Sequence, residues 1–252
     1  MAYRNWSFLT ADCEFIKYEF FCRRKQCGST RIKDDNEMKI QNTPTMRRMP
    51  TYLHKLFQMR MDGATSVSCT DLAQYMGIEP IVTRKDIAAT GLKGHRGYGY
   101  LINELIDAIL VYIGWDKKMS ATLIGAGALG SALLGYSDFI DYNLRIESVF
   151  DSDPNKIGRE IHGHEVFDME TLERRLKNHP PKIGILCVSS VAAQKTADAL
   201  VALGVRYLWN FANVCLQVPE GVIVQREVIA GGLAVLSAKI KALESGEPIS
   251  GE

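Results

Sequence analysis

The sequence has no apolar run long enough to cross a bilayer and no segment built like a secretory signal peptide. A membrane-spanning helix needs roughly 20 apolar residues, whereas the longest run, 121–134, is shorter and is interrupted by glycines. A signal peptide has a basic start, an apolar middle and small residues at its end, and this order does not occur. We therefore expect no membrane contact and a cytoplasmic location.

Cysteine pairs at C-x-x-C spacing are also missing. Scattered thiols in a chain of this size favour reduced cysteines over a disulfide framework or a structural zinc site. His162 and His164 are one residue apart and could form a metal pair, but two surface histidines are the preferred interpretation. We expect no metal site. The six cysteines are Cys13, Cys22, Cys27, Cys69, Cys187 and Cys215.

The net charge is only +1, so the chain as a whole is neither strongly basic nor strongly acidic. The charge is unevenly spread, however. Residues 44–100 contain eight Lys or Arg and four Asp or Glu, which gives a local excess of 8 − 4 = +4. This excess predicts an anionic partner for that segment.

The chain divides into four segments. Residues 1–40 mix aromatic, basic and cysteine residues without a lasting period, and we interpret them as a leader or as translation from an upstream start. Residues 41–117 predict a small helical domain. Residues 118–226 predict an α/β domain, and residues 227–252 predict a C-terminal dimerisation helix and tail.

The 41–117 segment has the pattern of a winged helix-turn-helix. Apolar residues recur at three- and four-residue spacing up to Gly63, which ends the first helix. A second short helix starts at Ser68 or Thr70 and stops at Gly77, and a third begins with a proline. The glycine-rich run LKGHRGYGY that follows suits a hairpin or wing whose basic side chains point into solvent.

The recognition helix of a helix-turn-helix reads the major groove from its N-terminal residues. Arginine and lysine donate to guanine edges and neutralise phosphates, so a basic helix start predicts double-stranded DNA as the partner. The alternative is that the basic run is only a solvated helix face. The side chains predicted to contact DNA are Arg47, Arg48, Thr83, Arg84, Lys85, Lys93, Arg96 and Tyr98.

A glycine triplet at G-x-G-x-x-G spacing opens the second domain in the run LIGAGALGSALLGY. A predicted strand precedes it and a helix follows, as in a dinucleotide-binding turn. The next strand closes on Asp151, 21 residues after Gly130, where a carboxylate accepts both ribose hydroxyls of NAD and repels a 2′-phosphate. The sequence therefore predicts NAD rather than NADP. A glycine-rich turn without a ligand is the alternative.

Strands and helices alternate beyond this turn, with one helix expected over 169–178, and the alternation predicts a Rossmann-like, doubly wound parallel sheet. No Tyr-x-x-x-Lys pair occurs, and one helix only follows the dinucleotide domain, so no substrate domain is present. The fold class is therefore α/β with an N-terminal winged helix, and we expect a binding protein rather than an enzyme. The last helix, 227–243, carries an apolar stripe formed by Ile229, Leu233, Leu236 and Ile240.

Residues 38–243 resemble the Rex family of redox-sensing transcriptional repressors. The motifs that carry the resemblance are MRRMPTYLHKL, RKDIAATGLKGHRGYGY, IGAGALGSALLGY, FDSDPNKIG and WNFANVCLQVP. The resemblance implies a homodimer that binds palindromic operator DNA, senses NADH and NAD+, and releases DNA when NADH binds. It also implies that the C-terminal helix is domain-swapped between subunits and that Tyr136 lies near the nicotinamide. The full predicted dinucleotide site is Gly125, Ala126, Gly127, Ala128, Leu129, Gly130, Tyr136, Asp151, Val188 and Asn210.

The sequence departs from the family pattern at positions that the resemblance connects with redox coupling. His54 stands where the family usually has arginine, and Val228 stands where the terminal helix usually begins with aspartate. Asn213 replaces a usual proline, and the recognition helix lacks the usual aromatics. We expect His54 and Glu227 to form a substitute pair if the register slips by one residue. Two alternatives stay open, which are a DNA-binding paralogue with altered NADH sensing and a CoA- or nucleotide-binding enzyme subunit.

Overall fold

The structure is a computed structural model, and it describes residues 43–245. The expectations for residues 1–40, for Cys13, Cys22 and Cys27, and for the tail after residue 245 lie outside the described residues.

The first part of the chain forms the predicted winged helix-turn-helix. Its elements are α1 (Thr43–Met61), β1 (Ser66–Val67), α2 (Cys69–Met76), α3 (Pro80–Ala89), β2 (Tyr100–Leu101) and α4 (Ile102–Ile113). Ser68 caps α2 through its hydroxyl, which accepts a hydrogen bond from the Asp71 N–H at 3.1 Å, and Gly77 ends the helix in the left-handed conformation. Pro80 occupies the first turn of α3, where its missing N–H costs nothing. These local signals act as the sequence predicts.

A wing follows the recognition helix α3. The strands β1 and β2 pair antiparallel, with Val67 opposite Tyr100, and a single bridge joins His95 to Gly99 within the wing. Gly99 has a positive φ, and any Cβ there would collide with the Val67 carbonyl, so only glycine fits this crossing.

A hydrophobic core holds the three helices and α4 together. Its fully buried members come from one face of each helix and are Met49, Tyr52, Leu53, Leu56, Leu72, Ile87, Ile102, Leu105 and Ile109. Tyr142 from the second domain also belongs to this core, where its ring lies 4.6 Å from that of Trp115. The two halves of the protein therefore share buried apolar surface.

One carboxylate lies inside this domain. Asp86 of α3 is 1% exposed, and its two oxygens accept hydrogen bonds from Arg48 Nε at 2.6 Å, Arg48 Nη2 at 2.8 Å, Thr45 Oγ1 at 2.7 Å and the Tyr52 hydroxyl at 2.9 Å. Burial pushes the pKa of Asp86 up, but these donors outweigh burial and lower it. Burial raises the pKa of Tyr52 to about 12. The cluster fixes α3 against α1.

The second part of the chain is built on a seven-stranded sheet. Its strands are β3 (Met119–Ile124), β4 (Leu144–Asp151), β5 (Glu160–Ile161), β6 (His164–Asp168), β7 (Ile183–Leu186), β8 (Tyr207–Asn210) and β9 (Ile223–Arg226). The spatial order is β5-β6-β4-β3-β7-β8-β9, and all neighbours run parallel except the edge pair β5 and β6. The six parallel strands thus have the Rossmann order 3-2-1-4-5-6 when counted along the chain.

Helices cover both faces of this sheet, as the alternating pattern predicts. They are α5 (Ala128–Leu134), α6 (Leu172–Leu176) and α7 (Ser190–Ala202). The last helix, α8 (Ala230–Ser245), has no buried residue. Successive side chains of a strand face opposite sides, so Leu123 packs into the core on one side of the sheet and Ile124 into the core on the other. The central strand β7, IGIL, is covered on both faces and is therefore apolar throughout.

Three elements differ from the sequence prediction. The predicted 169–178 helix is a 3-10 turn (Met169–Thr171) followed by α6, and β9 is an edge strand that the prediction did not name. The last helix begins at Ala230, three residues after the predicted start, and none of its residues is buried.

We expect Asp86→Asn to destabilise the winged helix by about 2–4 kcal/mol, because the change leaves Arg48 facing a neutral group in a mostly buried site. Urea unfolding at pH 7 measures this loss. Because the pKa of Asp86 is lowered on folding, its contribution is present above about pH 4 and is lost as the pH falls further. The gap between wild type and variant should therefore close in acid.

The control is Asp107→Asn, which removes the same charge from an exposed position of α4. It should change the free energy of unfolding by less than about 0.5 kcal/mol. Equal losses for the two variants would contradict a structural role for the Asp86 cluster.

Candidate dinucleotide and DNA-binding sites

The glycine loop leaves β3 at the point where the strand order reverses. Gly125 has a φ of +97°, and a Cβ there would meet the Cys187 carbonyl at the end of β7. A Cβ on Gly130 would collide with the Gly125 carbonyl, whereas nothing lies within 4 Å of a Cβ on Gly127. The first and third glycines are thus required by the protein itself. The open space at Gly127 is the space that a pyrophosphate would fill.

Asp151, the predicted ribose ligand, lies at the end of β4 and is 7% exposed. One carboxylate oxygen accepts the Ala126 N–H at 2.8 Å and Lys156 Nζ at 2.9 Å, and the other accepts the Asp153 N–H at 2.8 Å. Burial raises the pKa of Asp151, but these hydrogen bonds outweigh it and the pKa is lowered. The ionised carboxylate therefore also holds the glycine loop in position.

A cleft of about 440 Å³ opens beside the loop. Two cations that the sequence analysis did not select, Lys156 and Arg159, lie in its wall. The signal that could have found them is the run FDSDPNKIGR, which places both shortly after the strand-end acid. The lining residues are Ala126, Gly127, Ala128, Ser131, Lys156, Arg159, Glu160 and Ile161. Backbone donors and two cations around an apolar floor fit a pyrophosphate and its ribose.

Three other predicted dinucleotide residues lie near the loop or beside it along the chain. The Cγ1 atom of Val188 lies beside Gly125, 3.1 Å from where a Cβ on that glycine would stand. Tyr136 is half-exposed just after α5, and its hydroxyl donates to Asp138 at 3.1 Å. Leu129 lies in the first turn of α5.

Asn210 lies at the carboxyl end of β8 and its side chain is fully buried. Its amide nitrogen donates to the Val214 carbonyl at 3.0 Å, and its amide oxygen accepts the Ala212 N–H at 2.9 Å. Both ends of the amide therefore help to close the loop after β8, and its contact with a dinucleotide stays a prediction.

Six of the eight residues predicted to contact DNA are exposed. They are Arg47, Arg84, Lys85, Lys93, Arg96 and Tyr98. Thr83 is 0% exposed, with its hydroxyl 3.3 Å from that of Tyr52, so its side chain packs inside the domain rather than facing DNA. The Arg48 side chain is 27% exposed and is bound to Asp86, so it fixes α3 against α1, and its contact with DNA stays a prediction.

The wing carries a stacked pair of rings. The rings of His95 and Tyr98 lie 5.0 Å apart, and His95 Nε2 lies 3.4 Å from a carboxylate oxygen of Glu104 on α4. These contacts fix the wing to the domain and leave Arg96 exposed at its tip.

The expected pair between His54 and Glu227 is not formed. Glu227 instead accepts hydrogen bonds from Trp209 Nε1 at 3.3 Å and from Gln225 at 3.2 Å. His54 Nδ1 lies 3.8 Å from Asp138 Oδ2. The sequence expectation was wrong because Trp209, on the neighbouring strand, places a donor beside Glu227.

Two kinds of feature are absent from residues 43–245. No group of three or more His, Cys, Asp or Glu side chains there is arranged to hold a metal ion. No helix in the same residues has the length and apolar character needed to pass through a membrane.

Comparison with known proteins agrees with this two-part organisation. A family model described as "CoA binding domain" matches residues 116–214, and one described as "Putative DNA-binding protein N-terminus" matches residues 42–88. The redox-sensing transcriptional repressor Rex of Treponema denticola is 43% identical over 200 residues, which covers 79% of this chain and 95% of that protein. Rex of Desulforamulus reducens is 38% identical over the same shares.

Solved structures of a Rex-family repressor, RSP, are similar over the whole described fold. The crystal structure of RSP has a TM-score of 0.67 at 32% identity, with 80% of this chain and 94% of that chain covered. RSP in complex with β-NAD+ and operator DNA gives 0.69 at 33% identity, with 79% and 92% covered. RSP with β-NADH gives 0.69 at 31% identity, with 81% and 96% covered. With this identity over most of both chains, and with a basic helix-turn-helix followed by a dinucleotide loop, the chain belongs to the Rex family of redox-sensing transcriptional repressors.

Proposed function

We propose that this repressor binds operator DNA through its winged helix and releases it when NADH occupies the Rossmann crevice, whereas NAD+ permits binding. The observation that carries the proposal is the presence, in one chain, of an exposed basic recognition helix and a glycine loop with open space at Gly127. The RSP structures support the direction, since NAD+ accompanies operator DNA in one and NADH is bound in another. We also propose a cytoplasmic location, because DNA is the target.

Different residues of the crevice would hold different parts of the dinucleotide. The backbone N–H groups at Gly127 and at the start of α5 face the position of the pyrophosphate. Asp151 keeps the loop in place and offers its charge to the ribose, while Lys156 lies within 2.9 Å of that carboxylate and screens it. Tyr136 and Val188 would lie towards the nicotinamide. The bound dinucleotide supplies the redox signal, and the protein reads it by shape and charge.

The DNA side uses exposed cations on two elements. Arg84 and Lys85 stand at the start of α3 and would reach base edges or phosphates in the major groove. Lys93 and Arg96 on the wing would contact phosphates beside it. Binding should therefore weaken steeply with salt, because each neutralised phosphate releases counterions.

We propose that α8 makes the protein a dimer. Its apolar residues Leu233, Leu236, Ile240 and Leu243 are exposed, as is Ile229 just before the helix, and none of the helix is buried in the single chain. An isolated helix of this length is marginal in water, so the apolar stripe needs a cover. Exchange of α8 with a second copy provides that cover and gives the two-fold symmetry that a palindromic operator requires.

Operator affinity should respond differently to NADH and to NAD+. Titration of the protein onto a fluorescent Rex-type operator at fixed salt should show specific binding that NADH weakens at least tenfold and NAD+ leaves in place. The reason is that NADH favours a domain arrangement that no longer fits two half-sites. Fluorescence anisotropy measures the dissociation constants.

Lys85→Ala serves as the control for the DNA face and should weaken operator binding by about 1–3 kcal/mol without changing the affinity for NADH. Operator binding that ignores both dinucleotides would identify a DNA-binding paralogue that has lost the sensor. No specific DNA binding, together with turnover of an acyl-CoA, would identify an enzyme subunit instead.

A substitution at Gly127 should separate the affinity for NADH from the stability of the fold. Gly127→Ala should lower NADH affinity at least tenfold, about 1.4 kcal/mol, because the new methyl group fills space needed by the pyrophosphate. Its free energy of unfolding should change by less than about 1 kcal/mol, since φ is −77° and no atom lies within 4 Å. Calorimetric titration and urea unfolding measure the two quantities.

Gly130→Ala is the contrasting variant and should lose both affinity and stability, because its methyl group collides with the Gly125 carbonyl. If Gly127→Ala bound NADH as well as the wild type does, the crevice would not be the dinucleotide site.

A charge placed in the apolar stripe of α8 tests whether a second copy covers this helix. Leu236→Glu should raise the dimer dissociation constant at least 100-fold, about 2.8 kcal/mol, because it places a charge in the apolar stripe of both copies. Sedimentation equilibrium measures the change. Lys241→Glu adds the same residue to the same helix outside the stripe and should leave the dimer intact. A dimer that survives Leu236→Glu would show that α8 is not the interface.

A further inference from the structure

The segment that follows the dinucleotide-binding helix is built into the DNA-binding domain. Tyr142 is 8% exposed and packs in the hydrophobic core of the winged helix, and Phe139 packs against that core and against the Rossmann core as well. The Phe139 ring also lies 4.8 Å from the ring of Tyr136, which is at the nicotinamide end of the proposed site. Residues 136–142 therefore touch both functional halves of the protein.

A polar contact crosses the same boundary. His54 lies on α1 of the DNA-binding domain, and its Nδ1 atom is 3.8 Å from Asp138 Oδ2. The side chain of Gln58 lies one turn further along α1, with its amide nitrogen 3.0 Å from His54 Nε2. With Gln58 beside Nε2, Nδ1 is the ring nitrogen that faces Asp138.

The same carboxylate oxygen is also bound from the dinucleotide side. The Tyr136 hydroxyl donates to Asp138 Oδ2 at 3.1 Å, and the Ser137 hydroxyl approaches Oδ1 at 3.3 Å. The pKa of Tyr136 is raised, first by burial and then by Asp138. A single oxygen of Asp138 thus lies between the tyrosine of the crevice and the histidine of the DNA-binding domain.

Among the described residues, the other acid considered for His54 is already committed. Glu227 is hydrogen bonded to Trp209 and Gln225, and Val228 next to it has no polar group. Of the ion pairs within residues 43–245, the one that involves His54 is with Asp138. Within the described chain, the acid beside His54 is therefore Asp138.

We propose that Asp138 is the residue through which Tyr136 acts on His54, so that the His54–Asp138 contact transmits dinucleotide binding to α1 and the recognition helix. This inference rests on the proposed function and names the residues that carry its regulation. A dinucleotide that draws the Tyr136 hydroxyl away removes one donor from Asp138 Oδ2. The carboxylate then attracts the His54 N–H more strongly, and the balance between domain arrangements changes.

The size of the expected change in coupling follows from how exposed His54 and Asp138 are. His54 and Asp138 are about half and one third exposed, so solvent screens their attraction and the contact is a modest one. We expect its loss to reduce the NADH effect on operator affinity by about two- to fivefold rather than to abolish it. The remainder of the coupling belongs to the apolar packing of Phe139 and Tyr142.

The experiment measures the coupling factor, which is the ratio of operator dissociation constants with and without saturating NADH. The full-length protein is titrated onto a fluorescent operator at one salt concentration and one pH. Asp138→Asn removes the charge but keeps the shape, and His54→Gln removes the ring. Each should reduce the coupling factor about two- to fivefold. The double variant should lose no more than either single variant, because both act through one contact.

Two further variants distinguish this role from a merely structural one. His54→Arg keeps a donor facing Asp138 and should keep the coupling factor, but not when combined with Asp138→Asn. Asp141→Asn removes a neighbouring exposed acid from the same segment and should leave the coupling factor unchanged.

The outcomes separate the inference from the proposed function. If wild-type operator binding ignores NADH, the proposed function fails and the inference falls with it. If the wild type responds and Asp138→Asn responds equally, or if the losses of the two single variants add in the double variant, only the role of the His54–Asp138 contact is overturned.

Discussion

The packing of Tyr142 into the core of the winged helix is the contact on which the two-domain arrangement depends. The ring belongs to the Rossmann domain by sequence but is buried among the apolar side chains of α1 and α4, beside Trp115. Burial of a large aromatic side chain contributes on the order of 2–3 kcal/mol, and here it also fixes the residues next to it. Asn143 continues this anchoring, because its amide donates to the Trp115 carbonyl at 2.7 Å. The segment between the dinucleotide helix and β4 is therefore held by the domain that contacts DNA.

A buried carboxylate fixes the backbone behind each of the two proposed binding surfaces. Asp86 fixes the recognition helix and Asp151 fixes the glycine loop, and each offsets its loss of hydration with a cation and several donors. The pKa of each is lowered despite burial, so both stay ionised near neutral pH. The arrangement places fixed charge behind each binding surface. The exposed cations nearby, such as Lys85 next to Asp86, then have a rigid support.

The features that could be predicted from the sequence are those that depend on a few neighbouring residues. The Ser68 cap, the Gly77 stop and the glycine loop are local, and the Rossmann order follows from strands that alternate with helices. The roles of Thr83 and Arg48 depend on partners about 30 to 40 residues away, so a basic or polar residue near a helix start looked like a DNA contact. A periodic signal was present, because Thr83 lies four residues before the buried Ile87 and shares its face. Strand β9 is short and half-exposed, and only its pairing with β8 defines it.

The start of the C-terminal helix and the interdomain contact belong to one connected region. Glu227 precedes α8 and accepts a hydrogen bond from Trp209, whose ring lies 6.0 Å from that of Phe139, and Phe139 in turn contacts Tyr136. If Tyr136 moves when a dinucleotide binds, as proposed, the movement has two routes through the protein. One leads through Asp138 and His54 to the recognition helix, and the other leads through aromatic rings to the helix proposed to join two copies. In the proposed dimer both routes are needed, because the fit of two recognition helices to one operator changes only when the spacing between the two copies changes.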